Sequence, residues 1–487
     1  MKLQLRLLAL ATALSLCLAG CGSEEDDGEP VHLTVWHYYN SVQLETFDAM
    51  VSEFNQTAGQ ELGIFVEAQS QGSVSELFDK VLDTARGVAG AGDLPDLFLA
   101  YADSAYEVIQ MGRAVNLSEY LTEGEIDSYV DDFWQEGVVE GSPYICPVAK
   151  STEALFLNAT DWRLYAQAAG LEGSVEQYFS TWEQVLDTAR SYYEYTDALT
   201  PQPHDGKSLL TVDALANFVL MTMKQQGVDL MQNENGAGLL DLNREALRRV
   251  WDVYVGSMAA GWFSSRGHFG SDDVKTGVLL GYIGSTSGVK YFPSVVTYDD
   301  NSQRPAEMLV LPMPVFENGE PVVVQQGAGM LVSRAETPDP RTERAAVEFL
   351  KWFTEPERNM QFAMLTSYLP VKEEAISGDM METAITSLME SDDPSQNNTA
   401  LMFDTALDQL RNYGFYVAEP FMGRLEIRYL LDGLEDVARA ARNYVLTAVE
   451  QGTPYEQALE NVAGEASFQS WYNQFSSMAE NILQNYQ

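Results

Sequence analysis

The chain has 487 residues, of which 46% are hydrophobic and 11% aromatic, and this is enough apolar material for two cores of ordinary size. Its formal net charge of -44 repels phosphate groups, so the composition argues against nucleic-acid binding and against unaided docking on anionic lipid. The acids are scattered along the chain, which is more typical of a soluble or salt-tolerant surface than of a particular substrate.

The first residues have the pattern of an export signal that ends at a cysteine. Two basic residues precede an apolar run, Leu7 to Leu18, which is too short to span a bilayer. The motif Leu18-Ala19-Gly20-Cys21, which begins at the last residue of this run, matches the lipobox of bacterial lipoproteins. We therefore predict a signal peptide over residues 1–20, lipidation of Cys21 and an acidic tether over residues 21–31. The protein is then expected on the cell membrane, anchored by lipid and facing the extracellular side or the periplasm.

Cysteine and histidine usage limits the chemistry of the folded part. Cys17 falls in the predicted signal peptide, so only Cys146 remains beside the lipidated Cys21, and no internal disulfide or cysteine metal cluster is expected. The histidines lack metal-ligand spacing; His204 and His268, for example, stand alone in polar segments. We expect neither a metal nor a cofactor.

The segment after the tether alternates between strand and helix patterns. HLTVWHYY predicts a strand, VQLETFDAMVSEFNQ a helix, GIFVEAQS a strand, SVSELFDKVLDTA a helix and LPDLFLAY a buried strand. This order predicts a parallel sheet with right-handed crossovers.

Open parallel sheets bind ligands beyond the carboxyl ends of their strands. The residues leaving the predicted strands are Trp36 to Asn40, Ser70 to Ser73 and Tyr101 to Ser104. Because alternate residues of a strand face opposite sides, we place Trp36 in the core and His37 with Tyr39 toward a ligand. Aromatic rings at such a position can stack on a sugar. Tyr101 and Asp103 are further candidates, and burial in the core is the alternative for each aromatic residue.

A second α/β unit is predicted from about residue 150. EALFLNATDW reads as a strand entering a helix, STWEQVLDTARSYYEY as an amphipathic helix, and GVLLGYIG and EPVVVQQGAGMLVS as strands. AAVEFLKWFTEPERNMQFAMLT predicts a long helix with a break, and helices dominate from about residue 372.

The turn GSTSG at residues 284–288 combines hydroxyl side chains with backbone N–H groups at a predicted helix start. That combination favours contact with an anion or with sugar hydroxyls. A simple helix N-cap is the alternative, because Ser and Thr are preferred capping residues.

Five further motifs follow the lipobox in a fixed order: TVWHYYN, SEFNQ, PDLFLAYAD, AVEFLKWFTEPE and TSYLPV. With this order and spacing the chain resembles the family 1 extracellular solute-binding proteins of ABC importers, which include maltose-binding and glycerol-3-phosphate-binding proteins. The resemblance covers nearly all of the mature chain. It implies a two-lobed α/β fold of the periplasmic-binding-protein type, with a ligand cleft between discontinuous lobes.

The resemblance also implies how the chain is divided and how it works. One lobe is expected at residues 32–148 with 325–372, and the other at residues 149–324 with 373–487. A solute that touches both lobes favours the closed state through its differential affinity. The closed, monomeric protein is then expected to meet the permease subunits of the transporter.

Within the family, TSYLPV, GSTSG and EIRYLL most resemble the glycerol-3-phosphate-binding branch. Carried over motif by motif, the resemblance implies ligand contacts at Tyr368, Arg428, Ser285 with its neighbour Thr286, Gly327 and Ser151. Ser70 stands where that branch has an aromatic residue, and the tryptophan pair expected after residue 200 is absent. Arg428 is either a clamp for a carboxylate or phosphate or a salt-bridge partner, so neutral and anionic solutes both remain open.

The sequence thus predicts a lipid-anchored, substrate-binding component of an ABC importer that binds a sugar, oligosaccharide or polyol phosphate without altering it. A binder of another anion or of a peptide is an alternative within the same class. A surface enzyme acting on glycan, with a carboxylate pair in the cleft, is an alternative from a different class. A third is a sensor domain that presents its ligand to a membrane receptor kinase.

Overall fold

A computed structural model describes residues 29–234, 236–267, 269–416 and 419–486. The predicted signal peptide, the lipidation site Cys21, most of the tether and His268 lie outside these residues. Within the described ranges, no helix combines the length and apolar character needed to cross a bilayer.

The strands are β1 (Val31–His37), β2 (Ile64–Ser70), β3 (Leu97–Ala100), β4 (Val138–Val139), β5 (Ser142–Pro143), β6 (Ile145–Cys146), β7 (Ser151–Asn158), β8 (Met231–Glu234), β9 (Ala237–Leu240), β10 (Gly281–Ser285), β11 (Val295–Thr297), β12 (Gln303–Pro305), β13 (Met308–Leu311), β14 (Val322–Gln326), β15 (Gly329–Val332) and β16 (Gly414–Tyr416).

The helices are α1 (Ser41–Gln56), α2 (Ala58–Leu62), α3 (Val74–Ala85), α4 (Ala102–Gln110), α5 (Glu123–Ile126), α6 (Asp131–Gln135), α7 (Ala159–Ala169), α8 (Trp182–Asp197), α9 (Leu215–Gln225), α10 (Arg244–Trp251), α11 (Ser257–Ala260), α12 (Gly270–Lys275), α13 (Pro340–Phe353), α14 (Pro356–Thr366), α15 (Glu373–Ser377), α16 (Asp379–Met389), α17 (Pro394–Asn412), α18 (Arg424–Asp432), α19 (Leu434–Glu450), α20 (Tyr455–Ala463) and α21 (Glu465–Asn485). Short 3₁₀ turns span Leu117–Glu119, Val175–Tyr178 and Thr286–Tyr291, and a π-helical turn spans Asp252–Gly256.

The first sheet has the strand order β2-β1-β3-β15-β6. β1 pairs in parallel with both β2 and β3, which confirms the predicted β-α-β-α-β unit. α1 buries Phe47, Met50, Val51 and Phe54 on one face and packs against β2, as the helical spacing of these residues predicts. β15 is antiparallel to both of its neighbours, so the sheet as a whole is mixed.

The second sheet has the strand order β10-β7-β14-β16, with β13 also paired to β7. β7 is buried along its whole length, although only its centre, residues 154–157, is apolar; Ser151, Thr152 and Glu153 at its start are buried polar residues. The predicted strand GVLLGYIG forms only from Gly281 onward, and the predicted helix after it is a short 3₁₀ turn.

The chain crosses between the two sheets three times: two crossings are adjacent, and the third takes it from β15 of the first sheet to β16 of the second. β6 of the first sheet leads into β7 of the second, and β14 of the second leads into β15 of the first. Only Gly327 and Ala328 separate β14 from β15. Each sheet therefore collects segments that are distant in sequence, and two hydrophobic cores result. The two-lobed α/β class is as expected, while the residue boundaries of the lobes stay a prediction.

Candidate functional site

A cavity of about 420 Å³ lies beside the crossing strands, between the two sheets. Its walls come from the segments that follow β1 and β3, from α3 and α4, from the start of β7 and the end of β10, from β14 and from α18. The cavity therefore lies at the carboxyl ends of the first parallel strands, where open sheets present ligand sites.

Most of the residues singled out in the sequence line this cavity. They are Tyr101, Asp103, Ser151, Ser285, Gly327, Tyr368 and Arg428. These residues are separated by up to several hundred positions in the chain, and the packing of the two sheets brings them together.

The placement of His37 and Tyr39 toward the ligand is corrected by the structure. Both side chains are buried in the core of the first sheet, where each ring packs against Phe47. Tyr38 lines the cavity instead. The reason is local: β1 ends at His37, so the alternation of a strand does not continue through the next two residues.

Ser70 and Thr286 also lie outside the cavity lining. The Ser70 hydroxyl donates to the backbone oxygen of Tyr39 at 3.2 Å. The Thr286 hydroxyl is fully buried and accepts from the backbone N–H of Thr152 at 3.1 Å, tying the turn to β7. Their contacts are therefore structural rather than directed at a ligand.

One wall of the cavity is a group of tyrosines. Tyr38 interacts with both Tyr101 and Tyr368, and the backbone N–H of Ala328 donates to the Tyr38 hydroxyl at 3.3 Å. Burial raises the pKa of all three phenols, so they stay neutral at physiological pH and can both donate and accept hydrogen bonds. Phe78 adds a further ring to the lining.

A second wall is a cluster of hydroxyls. The Ser285 and Ser287 hydroxyl oxygens are 2.9 Å apart, and the Ser285 hydroxyl donates to that of Ser151 at 3.3 Å. This cluster joins the end of β10 to the start of β7. Because the following 3₁₀ turn is short, the hydroxyls themselves, and not a helix dipole, are the groups this wall offers.

Two oppositely charged pairs border the cavity. Asp103 Oδ1 lies 2.6 Å from Arg424 Nε, a close ion pair whose atoms are not aligned as a hydrogen bond, and Arg428 Nε lies 3.8 Å from Asp103 Oδ2. On the other side, Glu136 pairs with the buried ammonium group of Lys150. The charges of the cavity wall are therefore largely compensated within the protein.

Three amide side chains complete the lining and are fixed by their own hydrogen bonds. Gln325 Nε2 donates to Glu136 Oε2 at 2.6 Å. Asn217 Oδ1 accepts from Arg428 Nη2 at 2.7 Å, and Gln326 Nε2 donates to Glu153 at 2.7 Å. Planar amides of this kind hold hydroxyl groups of a ligand in a defined orientation.

Sequence reasoning missed several of these residues. The two glutamines adjoin Gly327 in the motif QQGAG and could have been found from it. Arg424 lies one helical turn before Arg428, on the same face of α18, and that spacing was also a usable signal. Tyr38 lies in the segment that follows β1, but the alternation argument pointed to its neighbours. Asn217 carries no sequence signal, because only tertiary packing brings it to the cavity.

A metal centre requires acidic, histidine or cysteine side chains grouped close together. Among the described residues, no group of three or more His, Cys, Asp or Glu side chains is placed to hold a metal ion. Carboxylates line the cavity at three described residues: Asp103 and Glu136 are each held in an ion pair, and Asp432 accepts from the backbone N–H of Ala216 at 2.9 Å.

Comparison with known proteins gives a family and a fold. Residues 49–387 match the family model described as bacterial extracellular solute-binding protein. No curated protein sequence matches the chain. The cyclic α-maltosyl-1,6-maltose binding protein from Arthrobacter globiformis superposes with a TM-score of 0.64 at 19% identity, over 91% of this chain and 100% of that one.

Two more solved structures are similar at comparable levels. UgpB from Mycobacterium tuberculosis, in complex with glycerophosphocholine, gives a TM-score of 0.63 at 17% identity, over 94% of this chain and 99% of that one. The maltose/maltodextrin-binding domain MalE from Bdellovibrio bacteriovorus, bound to maltotriose, gives 0.58 at 16% identity, over 90% and 99%. At these identities the superpositions show a shared fold.

Proposed function

Because this chain belongs to the bacterial extracellular solute-binding proteins, we propose that it binds a carbohydrate, or a related polyol or sugar phosphate, in the cavity between its two sheets. It then presents the solute, chemically unchanged, to the permease subunits of an ABC importer. The observation that carries this proposal is the composition of the cavity wall, where tyrosine rings, serine hydroxyls and oriented amides surround about 420 Å³ of space.

Each part of that wall suits a sugar. The rings of Tyr38, Tyr101 and Tyr368 offer apolar faces for stacking, and their neutral hydroxyls both donate and accept. The serines and amides supply further partners for ligand hydroxyls. The similar proteins bind cyclic α-maltosyl-1,6-maltose, maltotriose and glycerophosphocholine, which supports testing saccharides and glycerol phosphates first.

The charge balance of the cavity favours a neutral solute over a phosphorylated one. Arg424 and Lys150 are buried against Asp103 and Glu136. Arg428 remains the accessible cation, and its guanidinium is already engaged by Asn217. A phosphate would therefore compete with existing partners and with nearby carboxylates, whereas a neutral hydroxyl adds a hydrogen bond without changing the charge.

Binding is expected to close the two lobes. The cavity takes residues from both sheets, so a bound solute makes contacts that exist only when the walls are close together. The solute then stabilises the closed state by its differential affinity for that state. The lipid anchor at Cys21, the extracellular or periplasmic location at the cell membrane and the monomeric state are parts of the same proposal.

Thermal unfolding with a panel of ligands tests the function. The panel contains neutral mono- and oligosaccharides, polyols, sugar phosphates and glycerophosphodiesters. A ligand at about 100 times its dissociation constant raises the unfolding free energy by about 2.7 kcal/mol, so a true ligand produces a clear upward shift in Tm. We expect a neutral saccharide to give the largest shift. If no saccharide, polyol or phosphate derivative shifts Tm, the proposed ligand class is wrong.

The variant Arg428→Gln tests whether the Arg428 guanidinium binds a neutral or an anionic solute. If the solute is neutral, losing a charged donor lowers its affinity by about tenfold or more in calorimetric titration. A variant that loses only phosphorylated ligands would show instead that Arg428 is an anion clamp. Arg411→Gln, outside the cavity lining, is the matched control and is expected to bind as the wild type does.

A further inference from the structure

Glu153 lies directly beneath the cavity and takes no part in its lining. It is the third residue of β7 and is fully buried. Its Oε1 accepts from Asn217 Nδ2 at 3.1 Å and from Gln326 Nε2 at 2.7 Å. Both of these amides line the cavity, so a single carboxylate oxygen holds two of the groups that face a ligand.

These contacts decide which way each amide points. A carboxylate only accepts hydrogen bonds, so each amide must turn its NH₂ group toward Glu153. Asn217 then presents Oδ1 to Arg428, whose Nη2 donates to it at 2.7 Å. Gln326 is left with Oε1 as its group for the cavity. The wall consequently offers acceptor oxygens at these two positions.

The environment of Glu153 makes its charge sensitive to pH near neutrality. Its Oε2 has no hydrogen-bond partner within the described part of the chain. The charged groups that face it are Asp213 and Arg428. Burial raises the pKa of Glu153 to about 7, against the opposing effects of the Asn217 hydrogen bond and of Arg428.

We propose that Glu153 is a positioning residue for solute binding: it sets the orientation of Asn217 and Gln326, and through Asn217 it holds Arg428, so that the cleft favours a ligand donating hydroxyl hydrogens at this wall. This inference deepens the proposed function and rests on it. The hydrogen bonds from Asn217 and Gln326 are strongest when Glu153 is ionised, because a charged acceptor makes stronger hydrogen bonds than a neutral acid.

The direction of the pH effect follows from the raised pKa. Above about pH 7 Glu153 is ionised and accepts strong hydrogen bonds from both amides. Below about pH 7 Glu153 takes up a proton, and these hydrogen bonds weaken. Solute affinity is therefore expected to fall as the pH decreases from about 8 to about 6, by about fivefold, the change that accompanies loss of a charge-assisted hydrogen bond.

Calorimetric titration of the best panel ligand over this pH range tests the proposal in the full chain. Glu153→Gln keeps the shape of the side chain and mimics the protonated form, so its affinity should match the low-pH value of the wild type and stay flat with pH. Glu343→Gln removes another buried carboxylate, one that accepts from Tyr120 and Arg334 away from this cavity, and should retain the wild-type profile. Identical pH profiles for wild type and Glu153→Gln would overturn the proposal.

A measurement without ligand separates this inference from the proposed function. The side-chain NH₂ resonances of Asn217 and Gln326, assigned from their loss in Asn217→Ser and Gln326→Ser, should shift with a midpoint near pH 7 in the wild type and not in Glu153→Gln. If the panel gives no ligand but these resonances titrate, the ligand class is wrong and the positioning role stands. Resonances that do not move with pH would disprove the positioning role itself.

Discussion

At the scale of single residues, the end of β1 shows how finely the site depends on backbone geometry. His37, Tyr38 and Tyr39 are adjacent and all carry aromatic rings, yet only Tyr38 reaches the cavity. His37 is the last residue of the strand, and its Nδ1 accepts from the backbone N–H of Tyr39 at 3.1 Å. That local turn buries the two flanking rings and directs Tyr38 toward the ligand wall.

His37 is expected to make the fold sensitive to acid. Burial lowers its pKa from 6.5 to about 4, so below about pH 6.5 the unfolded chain binds a proton that the folded chain does not. The stability that His37 contributes is present above about pH 6.5 and is lost as the pH falls toward about 4. Between pH 7 and pH 5 the unfolding free energy should drop by about 2 kcal/mol from this residue alone.

Urea unfolding at several pH values measures this effect. His37→Leu should lose that part of the acid dependence, whereas His32→Gln, an exposed position on the same strand, should keep it. A His37→Leu variant whose stability falls with acid as steeply as that of the wild type would contradict the expectation.

At the scale of elements, β7 and β14 lie where the chain passes between the two sheets, and they form the floor of the cleft. β14 pairs with β7 at Gln325 and Gln326, immediately before Gly327 takes the chain into β15 of the first sheet. The Gly327 carbonyl accepts from the buried Lys150 ammonium at 2.6 Å, and Leu369 pairs with the backbone of Lys150. Backbone pairing of these strands therefore places their side chains in the cavity.

Gly327 is expected to tolerate no side chain. Its φ is +84°, and a Cβ there would lie 2.4 Å from the backbone oxygen of Ala149 and 2.9 Å from the Lys150 Cα. Gly327→Ala should therefore lower the unfolding free energy by about 3 kcal/mol or more and weaken solute binding, because both strain and overlap fall on the crossing strands.

Gly112→Ala provides the matched control for this test. Gly112 also has a positive φ, of +69°, but has no atom within 4 Å of the added Cβ, so only the backbone conformation is strained and about 1 kcal/mol should be lost. If chemical denaturation shows equal losses of unfolding free energy for the two variants, the steric overlap at Gly327 does not contribute to the loss.

At the scale of the whole molecule, an ion pair links the two lobes across the cleft. Asp103 lies in the first turn of α4, which follows β3 of the first sheet. Arg424 begins α18, which packs on α9 and α21 near the second sheet. Arg424 is fully buried and its Nη2 also donates to the Tyr416 hydroxyl at 3.2 Å. We therefore expect these charges to favour the closed arrangement of the predicted lobes before a solute binds.

Breaking this ion pair should destabilise the closed arrangement. Arg424→Met leaves Asp103 without its closest partner, and removal of one member of a buried ion pair costs about 3–5 kcal/mol. We expect a lower unfolding free energy and a larger radius of gyration of the unliganded protein in small-angle scattering. Asp103→Leu combined with Arg424→Met should recover part of the stability, since no lone charge then remains buried.

The exposed pair Arg86–Glu107, whose Glu107 also lies on α4, serves as the control. Arg86→Met should cost less than about 1 kcal/mol, because solvent screens an exposed pair. The lobe-linking role would be refuted by an Arg424→Met protein that is as compact as the wild type and no less stable than Arg86→Met.

The sequence by itself determined the features that depend on local pattern. Apolar spacing predicted the strands and helices around the first sheet, the chain order of motifs indicated the family, and the residues after strand ends or inside short motifs pointed to Tyr101, Asp103, Ser285 and Gly327. These signals are local because hydrogen bonding and burial within one element depend on residues a few positions apart.

Only the tertiary structure decided which groups meet. Glu153 and Asn217 are 64 positions apart, and Arg424 and Asp103 come from different halves of the chain, so no spacing rule connects them. Their contacts exist because the chain crosses three times between the two sheets and packs distant segments around one cavity. The pairing of charges around the cavity and the orientation of the amides follow from that packing, since both depend on which buried charge finds which partner.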